Sequence, residues 1–152
     1  MIVGENSPVP GDEPLNACVV GSTGHRLWRM ILLHTPLTTD DYHEVFDRRN
    51  LCRQAWSQAE AERVAQVIAT LSPPGQVVVL LGSKVQDCFG IREQINPRIV
   101  AGTTYYGAPH PSGLNRWYND GKNRSVVGKL LAELYLSYRR SECQQTTITY
   151  AR

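Results

Sequence analysis

A chain of 152 residues that is 41% hydrophobic and 20% charged, with a formal net charge of +2, has the size and make-up of one globular domain with one core, spanning residues 1–152. No apolar run approaches the roughly 18 residues of a helical membrane span, and the opening MIVGENSPVPGDEP lacks the basic and apolar segments of a secretory signal. The expectation is a soluble, intracellular protein that acts away from membranes.

The modest net charge conceals an asymmetry. Residues 1–75 carry six Lys/Arg against nine Asp/Glu, whereas residues 76–152 carry ten against five. A basic C-terminal half suits a polyanionic partner. Cys18, Cys52, Cys88 and Cys143 show no C-x-x-C spacing, so four reduced thiols and no metal site are expected.

Taken in chain order, MIVGEN reads as a short buried strand that the prolines of SPVPGDEP cannot continue. From Gly24 to Thr35, Leu27, Met30, Ile31 and His34 recur at helical spacing until Pro36 stops the helix. TTDDYHEVFDRR predicts a second helix capped by Thr38 or Thr39, with acids first and arginines last, as the helix dipole favours. NLCR has no assignment.

Ser57 opens a third helix, with Glu60 completing a capping box ahead of a stripe formed by Ala61, Val64, Ala65, Val67, Ile68 and Leu71. QVVVLLG is continuous and β-branched, the mark of a strand covered on both faces. SKVQDCFG predicts a short helix, TTYYGAPH a strand, and RSVVGKLLAELYLSYRR a long amphipathic helix; QQTTITYAR is β-prone and unplaced. This alternation predicts an α/β fold, a three-layer α/β/α sandwich around a short, mostly parallel four-stranded sheet. Ligands of such sheets bind beyond the carboxyl ends of the strands, so the loops GENSP and HPSGLNR should face one crevice.

The strand ending in GEN, the helix HRLWRMI, the buried strand VVVLLG and the loop HPSGLNR, in this order, resemble the uracil-DNA glycosylase superfamily over nearly the whole chain. PSGLNR is similar to the wedge loop of the mismatch-specific branch, and a histidine before that proline is similar to the classical and single-strand-selective branches. The resemblance implies a uracil-DNA glycosylase-like fold and a monomeric, monofunctional enzyme of base excision repair. It would flip uracil or a related pyrimidine lesion out of DNA and hydrolyse the N-glycosidic bond without a cofactor.

Carried over residue by residue, the resemblance makes Leu114 the wedge that fills the vacated stack, with Gly113 allowing close approach to DNA. Ser112 and Asn115 would hold phosphates or the widowed base, and Arg116 would neutralise a phosphate. His110 would donate to the base oxygen as negative charge gathers there. Glu5 and Asn6 would orient the attacking water and support the sugar cation, as carboxylates do in glycoside hydrolysis. Asn50 would read the pyrimidine edge through its amide, although Asn is also common just past a helix end, and Ser7 would border the base.

Three departures stand beside the matches. Ser7 occupies the place where a proline normally follows the motif, no aromatic residue in the loop is available to stack on the base, and iron–sulfur cysteine spacing is absent. Two alternatives stay open on the residues alone: an enzyme that removes or exchanges a substituent on a modified pyrimidine, and a non-catalytic nucleic-acid-binding module that kept the wedge loop.

Overall fold

Five strands, β1 (Ile2–Asn6), β2 (Arg48–Cys52), β3 (Val77–Leu81), β4 (Pro97–Val100) and β5 (Thr103–Ala108), form one sheet in the order β2-β1-β3-β5-β4. The computed structural model describes residues 1–6, 13–92, 95–112 and 114–149, with side chains described through residue 142. The pairs β1–β2, β1–β3 and β3–β5 are parallel, and β4–β5 is antiparallel. The sheet therefore has five strands and not the four expected. Its additional member β4 is an exposed edge strand opening on Pro97, where a missing amide donor costs the least. A two-residue turn with positive φ at Ala101 (49°) and Gly102 (82°) joins it to β5.

Side-chain alternation sends the strands' apolar groups to opposite faces. Ile2, Val79 and Leu81 meet Leu27, Ile31 and Leu131, while Val3, Val78 and Leu80 meet Ala61, Ala65 and Ile68. Two cores, one per face and not the single core expected, make the molecule a three-layer α/β sandwich, because the sheet separates its two apolar faces. Helices α1 (Thr23–Ile31), α2 (Thr39–Val45) and α5 (Gly121–Thr149) supply the first core, and α3 (Gln58–Leu71) and α4 (Ser83–Cys88) the second. Each fully buried Leu or Ile contributes about 1.5–3 kcal/mol to holding these layers together.

Helix ends refine the expected boundaries. Ser22 caps α1 by accepting from the His25 amide at 3.0 Å, and the helix closes at Ile31, short of Thr35, where the Leu33 and His34 amides turn to the carbonyls of Met30 and Ile31, three residues back, ahead of Pro36. His34 is exposed, its Nε2 3.3 Å from Ser125 Oγ. Thr38 and Asp41 form a reciprocal capping box on α2, but the helix ends at Val45, so the arginines expected in its last turn, Arg48 and Arg49, instead open β2. On α3 the box is only half made. Ser57 Oγ accepts from the Glu60 amide, but the Glu60 carboxylate takes the Arg53 amide at 3.3 Å, since the Ser57 amide already donates to Cys52 Sγ. Val67 and Leu71 face outward, 51% and 75% exposed, so the buried stripe of α3 narrows to Ala61, Ala65 and Ile68. Residues 144–149, read as β-prone, continue the backbone of α5.

Candidate functional site

From β1 the chain moves to β2 on one side of it and then, through α3, to β3 on the other. In open parallel sheets a reversal of this kind is where ligands bind, beyond the carboxyl ends of the two strands it separates, here β1 and β3, with the end of β5 beside them. Glu5 is the next-to-last residue of β1, Gly82 follows β3, and His110 lies two residues past β5.

Glu5 and His110 converge on Gly82. A Cβ there would stand 3.1 Å from His110 Cβ and 3.2 Å from Glu5 Oε1, close enough that one of the two side chains would have to give way. Its φ of 93° with ψ of 154° is a region that other residues enter only at a cost. The Gly82 amide donates to the Ala108 carbonyl at 2.8 Å, and buried Gln86 donates through Nε2 to the same oxygen at 2.9 Å. These bonds fix the end of β5 two residues before His110.

Two further side chains border Glu5. Lys84 Nζ is 3.5 Å from Glu5 Oε2, and the same ammonium lies 5.3 Å from the centroid of the Trp56 ring. Burial pushes the His110 imidazole below its ordinary pKa. The Glu5 charge opposes that shift, and the Lys84 ammonium adds to it. His110 is thus neutral at neutral pH, a ring that can donate from one nitrogen without carrying a full charge.

The loop after β5 is tied down through its own backbone. Tyr118, buried, donates its hydroxyl to the Pro109 carbonyl at 2.7 Å, and Asn115 Nδ2 donates to the next carbonyl, His110, at 2.9 Å. Asn115 Oδ1 accepts from the Trp117 amide at 3.1 Å and so caps the 3-10 turn Arg116–Asn119. Asn123 Nδ2 holds the Trp117 carbonyl from α5. Between these clamps Leu114 is 94% exposed, which rules out a leucine folded back onto the core.

Of the residues singled out from sequence, Glu5 and His110 are brought together, and Ser112, Leu114, Asn115 and Arg116 share the loop that carries His110. Asn115 uses both ends of its amide inside that loop. Ser112 is half-buried and its carbonyl accepts from the Asn115 amide at 3.1 Å, while Arg116 is exposed. Asn6 ends β1 level with Cys52. Asn50 lies within β2 opposite Gly4 and so is no helix cap; its Oδ1 would be 2.9 Å from a Cβ on Gly4. Ser7 and Gly113 lie outside the described residues. Lys84 and Trp56 were not foreseen. The signal for Lys84 was present, since GSK follows a buried parallel strand just as GEN does.

Cys18, Cys52 and Cys88 are free thiols, and among the described residues no group of three His, Cys, Asp or Glu side chains is arranged to hold a metal ion. No helix among the described residues is long and apolar enough to cross a membrane. Compared with protein-family models and with curated proteins, the chain matches none.

Proposed function

We propose that this chain is a monofunctional DNA glycosylase of the uracil-DNA glycosylase type, acting as a monomer on uracil or a related pyrimidine lesion inside the cell. The observation that carries the reading is the convergence of Glu5 and neutral His110 across Gly82, with exposed Leu114 four residues further along the clamped loop. The mostly parallel sheet flanked by helices on both faces supports an architecture of that type, with β4 as an added edge.

In this reading Leu114 enters the base stack as the target nucleotide swings out, offsetting part of an unstacking cost of a few kcal/mol. The C1′–N1 bond breaks with its electron pair passing to the pyrimidine, and positive charge builds on the sugar. His110 donates to the base oxygen where negative charge gathers. A neutral donor suits this task, because it stabilises the departing anion without transferring a proton to it. Water oxygen then bonds to C1′ and gives its proton to the Glu5 carboxylate, which Lys84 keeps in place. Asn6 supports the same water, and Asn50 reads the pyrimidine edge. Trp56 supplies the aromatic wall that the loops themselves lack.

The test is an incubation with labelled single- and double-stranded oligonucleotides containing uracil, mismatched uracil or modified pyrimidines, followed by alkali to cut abasic sites. Strand scission that disappears in Glu5→Gln, with DNA affinity retained, is the expected result. Absence of scission across the panel overturns the reading.

A further inference from the structure

Beside the wedge loop runs a second concavity, a groove of about 380 Å³ between α1 and the segment 111–124. Arg26 and Arg29 enter it from α1, three residues apart and so on one face, and Arg124 enters from the first turn of α5. No acidic side chain is among the residues lining it. Asp120, the nearest acid in sequence, turns its Oδ1 to the Lys122 amide at 2.8 Å.

Left to itself this grouping is unfavourable. Like charges three apart destabilise a helix, and a cation in a first turn opposes the helix dipole. Arg26 and Arg124 are steadied by backbone carbonyls, Arg26 Nε by Gly21 at 3.1 Å and Arg124 NH1 by Tyr118 and Asn119. Arg29 is exposed and has no hydrogen bond or ion pair among the described residues. Met30 and Leu33 complete the α1 wall, and Leu33 is 64% exposed, a shelf that water covers poorly. Cations spaced along an apolar shelf match a chain that alternates phosphate with sugar.

We propose that this groove carries the phosphodiester backbone of one DNA strand as it leaves the wedge, with phosphates on Arg26, Arg29 and Arg124 and a sugar face on Leu33. The proposal rests on the glycosylase reading and extends it. The wedge loop is the divide: His110 belongs to the crevice, and Pro111, Ser112 and Asn115 belong to the groove. A strand that offers one nucleotide to the crevice crosses the loop and continues over α1.

The experiment measures binding of an undamaged labelled oligonucleotide, by fluorescence anisotropy, as a function of salt. Arg29→Ala should weaken binding alike for all sequences and make the log–log salt slope shallower by about 0.7–0.9, the release of one phosphate contact. Arg26→Ala with Arg29→Ala should lower it by about twice that. Arg63→Ala on α3, away from the groove, should leave the slope unchanged. A wild-type chain that binds DNA with a slope Arg29→Ala does not alter overturns the groove while leaving the glycosylase reading intact. A wild-type chain that binds no DNA overturns both. Tighter binding of the matching RNA than of DNA overturns the strand assignment.

Discussion

The Asn115 side chain donates to the main-chain carbonyl of His110 at 2.9 Å while accepting from the Trp117 amide at 3.1 Å, so one residue ties both the loop proposed as the wedge and the backbone of the proposed base-contacting histidine. Asn115→Ala should cost about 1–2 kcal/mol through the lost cap and the stranded carbonyl. Asn115→Asp keeps the accepting oxygen and loses the donor. Its stability should fall less than that of the alanine variant, while excision falls as far or further. Denaturant melts and single-turnover excision rates, run on both variants, check the pairing of effects.

Leu114→Ala should leave stability within about 0.5 kcal/mol of wild type, because a leucine that is 94% exposed holds nothing together. Excision should drop more on well-paired duplex than on single strands, where little stacking needs replacing. A uniform loss on every substrate would remove the wedge role.

Gly82→Ala should be among the most damaging small changes in the chain. The backbone there costs a residue with a side chain about 1–3 kcal/mol, and the added methyl would press on His110 and Glu5 together. Thermal melts should show the loss of stability, and excision should fall even at temperatures where the variant stays folded. Activity at the wild-type level would separate the crevice from the chemistry.

Stability should rise with pH on the acid side of about 6.5, the ordinary value for histidine. Burial lowers the pKa of His110 in the folded chain, so the unfolded chain takes up a proton there first, and folding loses ground as pH falls from about 6.5 toward the lowered value. His43 acts in the same direction. Burial lowers it also, and its Nε2 must stay unprotonated to accept from the Ala17 amide at 3.0 Å. His110→Gln should therefore flatten the pH dependence in part and leave the His43 share. Melts at several pH values on wild type, His110→Gln and His43→Gln resolve the two contributions.

Tyr42 is fully buried, and its hydroxyl has no hydrogen-bond partner among the described residues. Burial drives its pKa above the usual tyrosine range. Tyr42→Phe removes a desolvated oxygen and keeps the ring contacts with Phe46, so stability should be unchanged or higher by up to about 1 kcal/mol. A loss of more than that in a denaturant melt would mean that the hydroxyl has a structural task.

The central strands and the helices were legible because each carries a local signal that packing reinforces. VVVLLG is apolar on both faces and is covered on both, and Thr38 with Asp41 caps α2 as its spacing predicts. β4 was not legible. PRIV is four exposed residues opening on proline, and its turn is Ala-Gly where hairpins usually announce themselves with Asn-Gly or Asp-Gly. The stripe read on α3 was too wide, since Val67 and Leu71 fall on a column one residue round the helix from Ala61, Ala65 and Ile68 and so turn away from the sheet. At the site, Glu5 and His110 were legible as the ends of parallel strands. Lys84 could have been found by its place just after β3, whereas Trp56, between β2 and α3, meets it only through a long-range arrangement that no spacing in the chain encodes.

The exposure of Leu114 also bears on how this protein changes over time. A polar side chain at that tip would fold as well and would be easier to keep dissolved, so neither folding nor solubility retains the leucine. If the proposed wedge role holds, a lineage that ceased to need an apolar tip there would be free to lose it without a penalty in stability, long before the buried residues behind it could change.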